Sequence, residues 1–107
     1  MGAMVTIRYI NGVTDEEVTT LSNALRTVVA KAIEEKDVFI YADEALIVVG
    51  SDPIEVFIQV NAQKVSDASA LMNTIAEDLA AWKAQNNFAH PINLNVIPVE
   101  WHAKFGI

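Results

Sequence analysis

The sequence has no cysteine, which excludes disulfide staples, thiol nucleophiles and thiolate metal sites and fits a reducing compartment. Long apolar runs are also missing, and none approaches the roughly 20 residues that a membrane-spanning helix requires. Basic residues are scarce. Seven stand against fourteen acidic ones, and the net charge of −7 repels phosphate backbones and anionic lipid. No local basic patch overrides that average, so neither nucleic acid nor a membrane surface is an expected partner. Of the four glycines, Gly12 and Gly50 stand alone as turn residues, and no phosphate-cradling loop is present. The two histidines, His90 and His102, have no carboxylate at ligand spacing and resemble no common metal site, so no metal and no cofactor is expected.

What is present is an ordinary folding composition. Across 107 residues, 52% are hydrophobic and 20% charged, and a chain of this length makes one domain that buries roughly two thirds of its unfolded surface. Met1-Gly2-Ala3 reads as an expression scar ahead of a start at Met4, leaving a single domain over residues 4–107. With no Arg-rich or apolar leader in view, the cytoplasm is the expected location.

Residues 5–10 alternate, with Val5, Ile7 and Tyr9 on one side and Thr6, Arg8 and Ile10 on the other, as a strand with one face on a core would. Asn11-Gly12 ends it. Thr14-Asp15-Glu16-Glu17 has the form of a capping box, in which the threonine oxygen and the glutamate satisfy backbone donors at a helix start. Val18, Leu21, Leu25, Val28, Val29 and Ala32 then recur at helical spacing. Val38-Phe39-Ile40-Tyr41 and Leu46-Ile47-Val48-Val49 are strand-like apolar runs, although residues 38–42 are too short to separate a strand from a helical turn. After Gly50-Ser51-Asp52-Pro53, Ile54, Val56, Ile58 and Val60 alternate with Glu55, Phe57, Gln59 and Asn61. A second helix, capped at or near Ser66, carries Ala68, Leu71, Met72, Ile75, Leu79 and Trp82 on its stripe. Asn86-Asn87 breaks it, and a last strand over residues 92–97 runs into Pro98.

This order, β-α-β followed by β-α-β, defines an α+β domain and admits two architectures. One is a ferredoxin-like sandwich; the other joins two parallel β-α-β units by a pseudo-twofold. The stretch Leu46-Ile47-Val48-Val49-Gly50-Ser51-Asp52-Pro53, with the alternating strand and lysine-containing helix entry that follow, resembles the middle of the tautomerase superfamily, the family of macrophage migration inhibitory factor and 4-oxalocrotonate tautomerase. Met4-Val5-Thr6-Ile7-Arg8-Tyr9 likewise resembles that family's first strand, and the pattern covers nearly the whole chain.

The resemblance implies a homotrimer with a pocket between subunits that takes a small anionic enol or keto acid. In the family, a proline after the initiator methionine supplies a secondary amine as catalytic base. With a start at Met4, that position falls on Val5, whose primary amine acts as a weak base only if it is freed; such an amine has an ordinary pKa of about 7.7 to 8.0. Arg8 is then a fork for the substrate carboxylate, or otherwise an ion pair with Glu55 or a solvated side chain. Lys36 is a cation at the pocket mouth, or one that offsets the helix dipole. Tyr41 is a hydrogen-bond donor to substrate, or a packed strand aromatic. Ser51 lacks the downstream glycine of a nucleophile elbow and reads as a turn. Trp101, His102, Lys104 and Phe105 make a tail too apolar to stay wet, expected to dock on its own domain or on a neighbour. The competing function is a non-enzymatic ligand-binding or oligomerisation module, on this fold or as a ferredoxin-like regulatory domain.

Overall fold

Thr14 opens the first helix as its sequence predicts. In the computed structural model, which describes residues 2–50 and 53–107, its hydroxyl accepts from the Glu17 amide at 3.1 Å. The Glu17 carboxylate in turn accepts from the Thr14 amide at 2.9 Å, completing the capping box. Helix α1 (Asp15–Ile33) ends at Glu34, which takes the left-handed conformation usual after a helix and donates its amide to the Ala30 carbonyl. The second helix, α2 (Ala68–Asn86), is capped by the Asp67 carboxylate, one residue beyond Ser66, and closes on a left-handed Asn87. A short 3-10 turn over Ala62–Lys64 precedes it.

The strands are β1 (Ala3–Tyr9), β2 (Val38–Glu44), β3 (Ile54–Asn61) and β4 (Ile92–Val99), in the order β2-β1-β3-β4. β1 runs parallel to β2, and β3 runs parallel to β4, while β1 and β3 meet antiparallel with Val5 opposite Ile58. In each β-α-β unit the two parallel strands are therefore direct neighbours. A ferredoxin-like split unit places another strand between them, so that alternative is set aside. The fold is the two-unit, pseudo-twofold arrangement.

Alternation decides the core. Ala3, Val5 and Ile7 of β1 and Ile54, Val56, Ile58 and Val60 of β3 turn to one face and are buried against Leu21, Leu25, Val29, Ile75 and Leu79 of the helices. Each of the Val, Leu and Ile side chains contributes on the order of 1.5–3 kcal/mol of burial. Ala3 opens β1 in this sheet, with Gly2 just before it: Ala3 is wholly buried, and its amide donates to the Asp37 carbonyl at 3.2 Å. A Cβ at Gly2 would collide with that same carbonyl oxygen, so glycine is what permits the approach.

The opposite face carries no helix. Register there forms rows across the strands: Asp43, Arg8, Glu55 and Asn93 in one, then Tyr41, Thr6, Phe57 and Asn95. The C-terminal segment approaches the face, with Phe105 6.2 Å from Phe39 between ring centres and still 66% exposed.

Two expectations change. Residues 38–42 resolve as part of a strand, β2, because β1 offers them a parallel partner. Leu46, Ile47, Val48 and Val49 do not form a strand: they pair with none of the four strands, and apolar β-branched composition alone does not supply a partner. The Ser51 turn lies outside the described residues.

Candidate functional site at the free edge of β2

The Glu34 cap turns the chain back through Lys36 and Asp37 into β2, leaving a groove between α1 and the outer edge of that strand. Its volume is about 470 Å³. Ser22, Asn23 and Arg26 line it from the helix, Lys36 and Asp37 from the turn, and Phe39 and Tyr41 from the strand. Among the described residues, neither Arg26 nor Lys36 has a carboxylate within ion-pair distance. Among the described residues these two cations make no ion pair; with the amide, hydroxyl and phenol groups beside them, and the Asp37 carboxylate at the turn, they suit an anion with adjacent oxygens seated on the Arg26 and Lys36 side. Arg26 can offer a two-pronged fork, Lys36 a point charge and Tyr41 a hydroxyl.

The structure thus brings Lys36 and Tyr41 to one groove and leaves Val5 and Arg8 out of it. Val5 is wholly buried in β1 between Ile40 and Ile58, and its nitrogen is a peptide amide in mid-strand. Arg8 is exposed on the helix-free face. It makes no ion pair with Glu55, although the two are register partners. Glu55 instead accepts from Asn93 Nδ2 at 2.7 Å and Asn95 Nδ2 at 3.2 Å.

Arg26 in the groove, and Gly2 against the Asp37 backbone behind it, are not singled out by the sequence pattern. Arg26 lies off the apolar stripe of α1, where a site residue looks like any solvated one. Gly2 sits behind Asp37 at the start of β1, and its signal was parity: Ala3 continues the inward series of Val5 and Ile7 by one more step. Lys36 follows the helix cap, whereas the last turn of α1 holds Lys31 as its cation. Lys31 bridges to Asp78 of α2 at 3.7 Å.

A second cavity of about 230 Å³ lies at the other end of β1, lined by Ile10, Val13, Ile54, His90 and Pro91 among others. His90 Nε2 is 2.8 Å from Glu17 Oε2, joining the loop before β4 to the start of α1. The Thr14 amide, with help from His90, holds the Glu17 carboxyl below the usual carboxylate range, although partial burial opposes that shift. Among the described residues no hydroxyl or thiol lines this cavity.

Among the described residues no cluster of three His, Cys, Asp or Glu is placed to hold a metal ion, and no helix is long and apolar enough to cross a membrane.

No protein-family model matches this chain, and no curated protein matches its sequence. Solved structures do match its shape. A fused 4-OT described as a symmetric trimer is similar at a TM-score of 0.72 and 14% identity, over 97% of this chain and 94% of the other. MIF2 of Leishmania major is similar at 0.72 and 10% identity, over 98% and 95%. Pt0534, solved after inactivation by 2-oxo-3-pentynoate, is similar at 0.70 and 13% identity, over 97% and 94%. These neighbours make the α+β fold of this chain, a four-stranded sheet under two helices, the tautomerase-superfamily fold.

Proposed function

We propose that this protein binds a small enol or keto carboxylic acid in the groove between α1 and β2, as a homotrimer in the cytoplasm, and ketonises it slowly. The observation that carries the reading is the pair Arg26 and Lys36, two cations that have no carboxylate partner among the described residues and line one groove in a chain of net charge −7. The inactivation of the similar Pt0534 by a 2-oxo acid supports the ligand class, and the trimeric fused 4-OT supports self-association. Lys36 and Arg26 hold the carboxylate, and Tyr41 donates to the neighbouring oxygen. Arg8 would join them only across a contact between subunits.

Proton transfer needs a base. Val5 supplies one only in a chain cut to begin there, and such a chain loses the pairing of Ala3 and Met4 with both neighbouring strands. Gly2 lies nearer the groove, beside Asp37, and in a chain whose first residue is Gly2 its amine takes that position. While both nitrogens remain amides, the protein is a binding module without turnover, and the mid-strand place of Val5 favours that second reading.

The test compares ketonisation of phenylenolpyruvate by the full chain, by chains beginning at Gly2 and at Val5, and by the Val5→Pro form of the last. An amine mechanism predicts a faster rate in whichever chain frees the working nitrogen, and Lys36→Ala should slow it. Equal rates in all four chains would remove the amine mechanism and leave binding alone.

A further inference from the structure

The cavity beyond the end of β1, about 230 Å³ in volume, sets one imidazole among apolar walls. Ile10, Val13, Ile54 and Pro91 make those walls, and His90 and Asn11 are the lining residues with polar side chains. Space is sufficient, because a dry apolar cavity of about 150 Å³ already holds benzene. The surroundings of His90 are held from several sides. The Ile54 amide donates to the Pro91 carbonyl at 2.9 Å, Lys83 Nζ donates to the His90 carbonyl at 2.7 Å, and the Phe88 ring meets the imidazole in a T-shape at 5.4 Å.

The imidazole offers an acceptor. Its Nε2 lies 2.8 Å from Glu17 Oε2, and Glu17, which also accepts from the Thr14 amide, is held below the usual carboxylate range and has no proton to give. Nε2 therefore carries the hydrogen and donates it. In the neutral ring that leaves Nδ1 with a bare lone pair, and among the described residues nothing donates to it. Glu17 stands behind the ring and does not line the cavity, so a carboxylate orients an imidazole whose second nitrogen is unspent. The two β-α-β units differ here. Ala3 pairs with Val38 and Ile54 with Ile92, so His90 takes in the second unit the place that Lys36 holds in the first. One unit puts a cation there, the other an acceptor.

We propose that this cavity binds a small neutral hydroxylated ring compound, of which phenol is the simplest aromatic member, with its O–H donating to His90 Nδ1 and its ring among Ile10, Val13, Ile54 and Pro91. The hydroxyl oxygen keeps lone pairs of its own, and Asn11 is the lining residue with a side-chain donor to meet them. A carboxylate ligand is refused. Among the described residues no Lys or Arg lines the cavity, Nδ1 presents a lone pair, and the Glu17 carboxylate lies behind the ring. The two sites thus sort ligands by charge, anions to the α1–β2 groove and neutral hydroxyl compounds to the His90 cavity. This site is independent of the groove, and its failure leaves the groove reading standing.

The test is an amide-resolved NMR titration of the full chain, at about pH 8, above the ordinary imidazole range. Three probes are compared: phenol, toluene, which has the same shape without the donor, and benzoate. Phenol should shift the amides of residues 10–13, 54 and 90. Toluene should bind there about tenfold more weakly, the effect of one hydrogen bond missing at an otherwise matched site. Benzoate should leave these amides unmoved. Before any ligand is added, the side-chain nitrogen spectrum should show His90 in its Nε2–H form. In His90→Phe, which sets another ring beside Phe88, the preference for phenol over toluene should vanish while circular dichroism stays unchanged. Equal affinity for phenol and toluene in the wild type, an Nδ1–H imidazole, benzoate shifts in the cavity, or no response of residues 10–13 to phenol would each overturn the proposal. So would a phenol preference that survives in His90→Phe.

Discussion

β2 and β4 hold equivalent places, each the second strand of a β-α-β unit and each an edge of the sheet. Their chemistry differs. On β4, Asn93 and Asn95 spend their amides on Glu55, Asn95 also reaches the Val56 carbonyl at 3.1 Å, and Pro98 removes a donor from the edge. Next to the edge of β2, the polar groups include Arg26 and Lys36, which pair with no carboxylate among the described residues, and residues 46–49 beyond the strand are exposed and apolar. One edge has satisfied its own polar groups. The other has left them for something else, and a pseudo-symmetric fold thereby acquires a direction for recognition.

The helices beneath the two edges differ in the same sense. α1, behind β2, buries Val18, Leu21, Leu25 and Val29, whereas α2, behind β4, buries Ile75 and Leu79. The largest expected effect is therefore Leu25→Ala, which should cost about 2–5 kcal/mol in urea unfolding. Leu79→Ala falls in the same range but toward its lower end, and an equal or larger loss there would break the comparison. Next comes Gly2→Ala. The new Cβ must displace the Asp37 carbonyl that leads into β2, so we expect a loss of about 1–3 kcal/mol, together with weaker binding in the groove.

Asn95→Ala sharpens the contrast from the other side. It removes the hydrogen bonds to Glu55 and Val56 and should cost about 1 kcal/mol of stability, with groove binding unchanged. Thr14→Ala should cost a similar amount, about 1 kcal/mol, by opening the capping box at the start of α1.

The smallest effect is one of pH. The folded-state pKa of Glu17 lies below its unfolded value of about 4.3. Its contribution to stability is therefore present above that unfolded pKa and lost as pH falls through the folded one. Glu17→Gln should flatten this acid limb of the stability profile. His90→Ala should flatten it only in part, because the Thr14 amide is the larger cause of the shift.

Much of this was legible from local rules. The Thr14–Glu17 box, the alternation of β1 and β3 and the stripe of α1 each depend on neighbours a few residues away, and each appears in the structure as the spacing implies. Residues 46–49 show where such rules stop. Val, Ile and Leu in series favour a strand, but a strand also needs an edge to pair with, and composition does not say whether one is in reach. Arg8 and Glu55 show the same limit for charges. Register brought them opposite each other, yet two asparagines from β4 reached the carboxylate first. The groove itself joins positions 22–26 to 36–41 through a helix cap and a turn, and Arg26 gained its meaning only when those segments came together.

The most direct test of the central claim, that recognition belongs to the β2 edge, is an amide-resolved NMR titration of the full chain with phenylpyruvate. The account predicts shift changes concentrated at Ser22, Asn23, Arg26 and residues 36–41, lost in the Arg26→Ala, Lys36→Ala double variant, with β4 silent. Changes centred instead on Asn93 and Asn95, or on the cavity beside His90, would contradict it.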